Sequence, residues 1–257
     1  MDLRVPSKEE HRVQEWSHGW WYFNKRQLCQ RVKAGESVAL VGPTGAGKST
    51  IVNLLCRFYN LRGGKILLTD EKGERHDITD VTIHSLRTQL GIMLQDSFIF
   101  TGTLMDNIRY GRLNATDEEV RQAAAVVRAD DFIREMPQQY NTSVNERGSS
   151  LSQGQRQLIS FARTLLSDPR ILILYEATSS IDTKTEKLLQ DGIQALLKGR
   201  TSFIIAHRLS TIKNCDRILY IGNKGIMEAG SHDELMAKKG AYYELYTAQA
   251  REQGVNI

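Results

Sequence analysis

The feature that most constrains this chain is a glycine-rich stretch that follows a short apolar run. The run is Ser37–Val41, and the next eight residues, Gly42–Ser49, read Gly-Pro-Thr-Gly-Ala-Gly-Lys-Ser. Apolar residues then recur at helical spacing through Thr50–Tyr59. A G-x-x-x-x-G-K-S loop that leaves a strand and enters a helix wraps the phosphates of a nucleotide in backbone N–H groups. The stretch therefore predicts a nucleoside triphosphate with Mg²⁺ as the ligand.

Each residue type in this loop has a physical reason to be in a phosphate site. Gly45 and Gly47 let the backbone turn tightly, so that successive N–H groups point inward. Lys48 adds a positive charge at the β- and γ-phosphates, and the Ser49 hydroxyl is placed for Mg²⁺. A glycine-rich turn that precedes a helix by chance is disfavoured, because the strand and the helix are both predicted.

Composition places the chain among ordinary globular proteins. Its 257 residues suffice for one large domain or two small ones, and 40% are hydrophobic and 25% charged. A net charge of +4 is too small to argue for nucleic acid or a lipid surface. No apolar run approaches the ~18 residues of a membrane span, and Met1–Glu10 is polar, so neither a membrane helix nor a signal peptide is predicted. The three cysteines form no C-x-x-C pair and are interpreted as reduced thiols.

Strands and helices alternate along the chain. Short apolar runs of strand length are found at Leu90–Leu94, Ile171–Leu174, Ser202–Ala206 and Arg217–Ile221. Helix-like segments separate these runs, and a mainly helical stretch spans 103–166. Lys65–Thr69 and Asp77–Thr79 flank a polar turn and are predicted to pair as a hairpin. The alternation predicts an α/β fold with a mostly parallel sheet and helices on both faces.

An acidic residue follows one of these buried runs, where the chain reads Tyr175-Glu176 after Leu174. In an open α/β sheet, residues at the C-terminal end of a strand reach the ligand crevice. Glu176 is therefore placed to orient or deprotonate a water molecule for attack on the γ-phosphate. The alternative is a solvated surface glutamate after a core strand.

Three further stretches carry a family resemblance. They are Leu151–Gln157 (Leu-Ser-Gln-Gly-Gln-Arg-Gln), Glu176–Asp182 (Glu-Ala-Thr-Ser-Ser-Ile-Asp) and Ile204–Arg208 (Ile-Ile-Ala-His-Arg). In this order after the glycine loop, they resemble the nucleotide-binding domain of ATP-binding cassette (ABC) transporters. The resemblance spans about residues 35 to 250, which is nearly the whole chain.

The resemblance implies a single nucleotide-binding domain over residues 1–257. Its P-loop NTPase core, a mostly parallel sheet flanked by helices, is expected from residues 1–95 and 167–257. An N-terminal antiparallel β subdomain is expected within residues 1–95. An inserted α-helical subdomain is expected at about residues 96–166.

The resemblance also assigns residues to ATP binding. The predicted ATP-binding residues are Gly42, Pro43, Thr44, Gly45, Ala46, Gly47, Lys48, Ser49 and Thr50 of the Walker A loop, Gln95, the signature residues Leu151, Ser152, Gln153, Gly154 and Gln155, and Asp182. In this family the signature reaches across a dimer and caps the γ-phosphate held by the partner chain. Asp182 matches an aspartate at the dimer seam. Gln153 stands where glycine is commoner, a variation that the family tolerates.

Catalytic and metal-binding roles follow from the same resemblance. Glu176 matches the catalytic glutamate, and His207 matches the switch histidine that contacts the γ-phosphate. Lys48 and Gln95 complete the predicted catalytic set. Ser49 and Gln95 are the predicted Mg²⁺ ligands, so the implied cofactors are ATP and Mg²⁺ and the implied reaction is ATP hydrolysis.

Other segments resemble the exporter branch of the family. They are Arg57–Tyr59, Gln95–Phe100, Asp106–Gly111 and His232–Leu235. The implied partners are a second nucleotide-binding domain, identical or different, paired head to tail, and the transmembrane domain of an exporter. The expected location is the cytoplasmic face of a membrane, with attachment through that domain. A DNA-repair relative is disfavoured because the stretch from Gln95 to Leu151 has no room for a long coiled coil, so no nucleic acid partner is expected.

Tyr175 departs from the family pattern, since it stands at the position of the Walker B aspartate. That aspartate holds Mg²⁺ through water and bonds Ser49, whereas a phenol with a pKa near ~10 brings no negative charge at pH 7. Two hypotheses stay open. In one, the chain is a working ATPase in which Ser49, Gln95 and the phosphates hold Mg²⁺. In the other, it is an ATP-binding switch with weak or no hydrolysis that partners a competent subunit.

The aromatic residue that stacks on adenine in this family has more than one candidate. Gapless spacing places His18 at that position, and Trp20, Trp21 and Tyr22 follow shortly after it. A tyrosine or tryptophan could stack on the base. The alternative is that these aromatic side chains cover the edge of a sheet.

Overall fold

The computed structural model describes residues 21–23, 30–61, 63–70, 72–94, 98–176, 183–206, 208–222 and 225–252. Its strands are Trp21–Phe23 (β1), Arg31–Val32 (β2), Ser37–Val41 (β3), Ile66–Thr69 (β4), Arg75–Asp77 (β5), Leu90–Met93 (β6), Gly102–Thr103 (β7), Ser143–Val144 (β8), Ile171–Tyr175 (β9), Thr201–Ile205 (β10), Arg217–Gly222 (β11) and Gly225–Gly230 (β12). Its helices are Lys48–Leu55 (α1), Ile83–Thr88 (α2), Leu104–Arg109 (α3), Asp117–Val126 (α4), Ala129–Glu135 (α5), Gln153–Leu166 (α6), Thr183–Leu197 (α7), Leu209–Lys213 (α8), His232–Lys238 (α9) and Ala241–Glu252 (α10).

The central sheet is mostly parallel, which confirms the predicted fold class. Its strand order is β12-β11-β3-β10-β9-β6, and every neighbouring pair is parallel except β11 and β12. In a parallel sheet the carboxyl ends of the strands meet at one edge. The glycine loop follows β3 and Glu176 follows β9, so both lie at this edge.

The two faces of the central sheet bury different layers, as the alternation along β9 illustrates. Ile171 and Ile173 pack in the layer that contains α1, whereas Leu172 and Leu174 pack in the layer built by α3–α6. Tyr175, the last residue of the strand, follows the same alternation and packs on the α1 side. Position along the strand therefore decides which layer each side chain enters.

A second sheet is antiparallel and has the order β2-β1-β4-β5. It confirms the predicted antiparallel β region and the hairpin of β4 and β5. The predicted bounds of the second hairpin strand, Asp77–Thr79, are wrong, because the strand is Arg75–Asp77. The chain turns directly after Asp77, whose Oδ1 accepts the N–H of Thr79 at 3.1 Å.

Helices α3–α6 lie between β6 and β9, where the sequence predicts a helical insertion; the domain boundaries at residues 95 and 167 stay a prediction. Buried polar side chains tie this segment together. Asn107 Nδ2 donates to the carbonyl oxygens of Phe100 (2.9 Å) and Thr103 (3.0 Å), and its Oδ1 accepts the N–H of Phe100 (2.9 Å). Arg163 of α6 donates through Nε to the Asn107 carbonyl oxygen (2.8 Å) and through Nη2 to Asn107 Oδ1 (3.0 Å). Asn107 thus joins α3 to the preceding loop and to α6.

The last two helices pack through a polar aromatic contact. Tyr242 of α10 is 1% exposed, and its hydroxyl lies 2.8 Å from Nδ1 of His232 in α9. Helix α10 therefore buries part of one face against α9. Among the described residues, no helix combines the length and the apolar character needed to cross a membrane.

Replacing Asn107 with alanine is expected to lower the free energy of unfolding by about 1–3 kcal/mol, because buried backbone groups and the Arg163 guanidinium lose their partners. Urea denaturation followed by circular dichroism measures this loss. The control is Asn114→Ala at an exposed position, which is expected to change stability by less than ~0.5 kcal/mol. Equal losses from the two variants would contradict the role given to Asn107.

Candidate functional site

The loop between β3 and α1 has backbone conformations that require glycine. Gly42 has a φ of 136°, and a Cβ there would lie 2.1 Å from the carbonyl oxygen of Ile221 in β11. Gly45 (φ 80°) and Gly47 (φ 106°) also have positive φ, and a Cβ at either position would meet no atom within 4 Å. The first glycine is therefore required by close packing against β11, and the other two by the turn itself.

Helix α1 begins at Lys48 without a side-chain cap. Gly47 occupies the cap position in a left-handed conformation, and the first turn contains no acidic residue. The N–H groups of a first helical turn have no partner within the helix and carry partial positive charge. Together with the open space beside Gly45 and Gly47, this end of the helix forms a cradle that fits a phosphate group.

Lys48 brings a full positive charge to this cradle. Its Nζ donates to the carbonyl oxygens of Gly42 (2.7 Å) and Pro43 (2.9 Å), and the residue is 9% exposed. Burial lowers the pKa of its ammonium group. The ammonium group is thus held against the first two residues of the loop.

Tyr175 reaches the same site from β9. Its half-buried ring packs with the apolar side chains on the α1 side of the sheet. Burial raises the pKa of its hydroxyl, nearby Cys56 acts in the same direction, and a side-chain hydrogen bond with Ser49 opposes both. The phenol is neutral at pH 7, and it joins the end of β9 to the first turn of α1.

Glu176 is bonded to the start of α8. Its Oε2 accepts the backbone N–H of Arg208 (3.1 Å), and its Oε1 accepts the hydroxyl hydrogen of Thr211 (2.6 Å). Arg208 Nε lies 3.7 Å from Glu176 Oε1, and its Nη1 donates to Glu186 Oε1 at 3.1 Å. The carboxylate that the sequence assigns to water activation is therefore held by protein donors, and only 7% of the residue is exposed.

Sequence reasoning did not identify Arg208 or Thr211 as functional residues. They are three positions apart at the start of α8, so they share one face. This spacing, directly after the predicted switch histidine, is the signal that could have identified them. Glu176 and Arg208 also line a small cavity together with Gln157 of α6. The cavity therefore lies between the predicted catalytic carboxylate and α6, the helix that begins in the signature.

The signature residues form the start of α6. The Ser152 Oγ accepts the N–H of Gln155 (3.2 Å), and the Ser152 N–H donates to Gln155 Oε1 (2.9 Å). Leu151 is buried, while Ser152 is exposed. At Gly154 a Cβ would lie 2.2 Å from Cγ2 of Thr185 in α7. Gly154 is therefore required by the close contact of α6 with α7, a reason that the sequence did not reveal.

Several predicted site residues lie outside the described residues. They are Gln95, Asp182, His207, His18 and Trp20. For Trp21 and Tyr22 the structure describes the backbone, as part of β1. Their predicted roles in ATP binding, catalysis, dimer contact and adenine stacking stay predictions.

The described residues fit the two expected ligands unequally. The cradle fits the phosphates of a nucleotide. Mg²⁺ prefers carboxylate and other oxygen ligands in octahedral geometry, yet the neighbour of Ser49 at the end of β9 is the neutral Tyr175, and Glu176 is bonded to α8. The described side chains therefore do not form a good cation site, and the assignment of Mg²⁺ to Ser49 and Gln95 stays a prediction.

Comparison with protein families identifies the class to which this fold and loop belong. The family described as "ABC transporter" matches residues 26–179, which is more than half of the chain. The chain belongs to the ABC transporter family. Proteins with this domain bind ATP, usually with Mg²⁺, and are ATPases.

Individual relatives are similar over most of this chain. The "Uncharacterized ABC transporter ATP-binding protein YknV" of Bacillus subtilis (strain 168) is 55% identical over 89% of this chain and 38% of its own length. The "Fatty acid ABC transporter ATP-binding/permease protein" of Mycobacterium tuberculosis (strain CDC 1551 / Oshkosh) is 47% identical over 87% of this chain and 34% of its own length. A solved "Structure of a bacterial Atm1-family ABC exporter with ATP bound" is 42% identical, with a TM-score of 0.81 over 96% of this chain and 44% of that chain. The chain thus spans less than half the length of these relatives.

Replacing Thr211 with valine removes the hydroxyl that donates to Glu176. We expect the free energy of unfolding to fall by about 1–3 kcal/mol, because a buried carboxylate oxygen loses a partner. In a Glu176→Ala background the same change is expected to cost less, so a double-mutant cycle by urea denaturation isolates the contact. Thr79→Val, in an exposed turn, is the control. Equal losses from Thr211→Val in both backgrounds would show that the bond to Glu176 contributes nothing.

Proposed function

We propose that this chain is the nucleotide-binding domain of an ABC exporter, that it binds and hydrolyses ATP, and that ATP-dependent pairing with a second such domain powers transport. One observation carries the proposal: the uncapped start of α1, with positive φ at Gly45 and Gly47 and with Lys48 beside them. Nucleotide phosphates carry several negative charges, and each of these features accommodates or attracts an anion.

In the proposed binding step, the backbone N–H groups of the Walker A loop, Gly42–Thr50, hold the phosphates. Lys48 exchanges the carbonyl oxygens that it contacts for phosphate oxygens. The signature of the partner domain, equivalent to Leu151–Gln155, then caps the γ-phosphate, with Asp182 at the seam. Two nucleotides lie between two domains arranged head to tail, so binding favours the closed dimer.

In the proposed chemical step, Glu176 is the general base that orients and deprotonates water, and His207 and Gln95 assist it. Glu176 is bonded to Thr211 and Arg208. We therefore infer that its carboxylate leaves the start of α8 before it reaches a water molecule, since a general base needs hydrogen-bond contact with the proton that it removes. Closure of the dimer is the step that we expect to drive this rearrangement.

The proposed partners are a second nucleotide-binding domain and the transmembrane domain of an exporter. The mycobacterial relative is named an ATP-binding/permease protein, and this chain matches 34% of its length. Exposed Phe98 and Tyr110 form an aromatic surface around Phe100 on the helical segment, which supports a protein contact there. We therefore propose attachment at the cytoplasmic face of a membrane, and no nucleic acid partner.

A second candidate function is an ATP-binding switch with weak or no hydrolysis, which lends its signature to a competent partner. Tyr175 favours this candidate, because a neutral phenol beside Ser49 stands where the family pattern has a carboxylate. Loss of an outer-shell partner of a metal typically costs roughly 10–100-fold in metal affinity or activity. The backbone N–H groups of the Walker A loop and the charge of Lys48 are present in both candidates, so ATP binding is expected in both.

Replacing Lys48 with alanine is expected to weaken ATP binding by about tenfold or more, because a charge-assisted contact to the phosphates is lost. Titration with a fluorescent ATP analogue measures the dissociation constant. Lys198→Ala, at an exposed position, removes the same charge away from the loop and is the control. Unchanged binding by Lys48→Ala would refute the site.

The two candidate functions differ in Mg²⁺-dependent phosphate release, measured at high protein concentration for this chain and for Tyr175→Asp. Similar rates would identify a working ATPase in which Tyr175 is tolerated. Turnover by Tyr175→Asp alone would identify a switch. A further Glu176→Gln change in the Tyr175→Asp background is expected to abolish release by removing the general base, which excludes a contaminating ATPase.

A further inference from the structure

We propose that Tyr175 makes this nucleotide site prefer the metal-free nucleotide polyanion over its magnesium complex. This assumes, as in the proposed function, that the Walker A loop binds the phosphates. Tyr175 would then be a specificity-determining residue that selects the ionic form of the ligand.

The position of Tyr175 follows from the sheet. Alternation along β9 turns its side chain toward α1, where the ring packs with the apolar layer that includes Ile51 and Val52. Its hydroxyl lies close enough to the side chain of Ser49, the second residue of α1, to interact with it. Ser49 adjoins Lys48, whose ammonium group contacts the loop backbone. Tyr175 therefore lies at the point where phosphates and a bound cation would meet.

Tyr175 brings no charge to this point. A tyrosine hydroxyl is neutral at pH 7, and hard cations such as Mg²⁺ favour carboxylate oxygens. Ser49, the side chain that α1 offers to a cation, therefore has a neutral neighbour at the end of β9.

Other carboxylates in the described part of the chain do not replace the missing charge. The first turn of α1 contains no acidic residue, and the carboxylate of Glu176 is bonded to α8. Among the described residues, the acidic and histidine side chains grouped closely enough to hold a metal are Asp70, Glu74 and His76. These three belong to the hairpin of β4 and β5 and not to the glycine loop.

Electrostatics then favours the ligand with more negative charge. The free nucleotide carries two more negative charges than its magnesium complex. Lys48 and the end of α1 attract both forms, and the attraction grows with the charge of the ligand. An aspartate at position 175 would reverse this preference, because a carboxylate repels the free polyanion and attracts the bound cation.

The test is isothermal titration of the chain with a non-hydrolysable ATP analogue, in excess Mg²⁺ and in EDTA at equal ionic strength. For the unchanged chain, we expect the dissociation constant in EDTA to fall below the constant in Mg²⁺. For Tyr175→Asp, we expect the constant in EDTA to exceed the constant in Mg²⁺ by about tenfold or more, as for a regained metal partner. Tyr175→Asn has the shape of aspartate without the charge and is expected to behave as the unchanged chain.

Three outcomes would overturn the proposal. The first is a dissociation constant of the unchanged chain in EDTA that equals or exceeds its constant in Mg²⁺. This measurement needs no variant, so a variant that fails to fold leaves the test decisive. The second is a Tyr175→Asp variant with no preference for Mg²⁺. The third is a Tyr175→Asn variant that gains the same preference as Tyr175→Asp. Absence of binding in both buffers would instead refute the proposed function, because the loop would then not hold phosphates.

Discussion

Strands β3, β10 and β9 end side by side at one edge of the sheet, and the site depends on this alignment. The parallel register pairs Ile205 with Leu40 on one side and with Tyr175 on the other. The three strands therefore leave the sheet at the same height, about 4.8 Å apart from one neighbour to the next. This alignment brings the glycine loop after β3 and Glu176 after β9 to one edge, although they are far apart in the sequence. Gly42 permits it, because only a residue without Cβ fits against the carbonyl of Ile221.

Two consecutive residues at the end of β9 serve different layers of the molecule. Tyr175 packs on the α1 side and lies beside Ser49, so it faces the glycine loop. Glu176 bonds α8 and lines the cavity that contains Gln157 of the signature helix. The phenol at position 175, where the family pattern has a carboxylate, therefore lies on the side of the proposed phosphate site. It leaves the hydrogen bonds of Glu176 on the other side of the strand in place.

Patterns in the sequence predicted the strands and helices whose formation depends mainly on their own residues. The glycine loop and the apolar runs of the central strands have strong signals, so the parallel sheet and α1 were both predicted, while phosphate binding at the loop stays a prediction. Strand β12 was missed because Gly225–Gly230 begins and ends with glycine and is held by pairing with β11. The bonds from Glu176 to Thr211 and Arg208 were missed for a related reason. They join elements that meet only through tertiary packing, which no single segment reveals.

The contact at Gly154 has a mechanical consequence. The backbone of α6 lies so close to Thr185 that a Cβ at position 154 would stand 2.2 Å from Thr185 Cγ2. Helix α7 begins soon after Glu176 in the chain, and α6 begins in the signature. A side chain at position 154 would therefore push the first turns of these two helices apart, and with them the signature and the segment that follows the carboxylate.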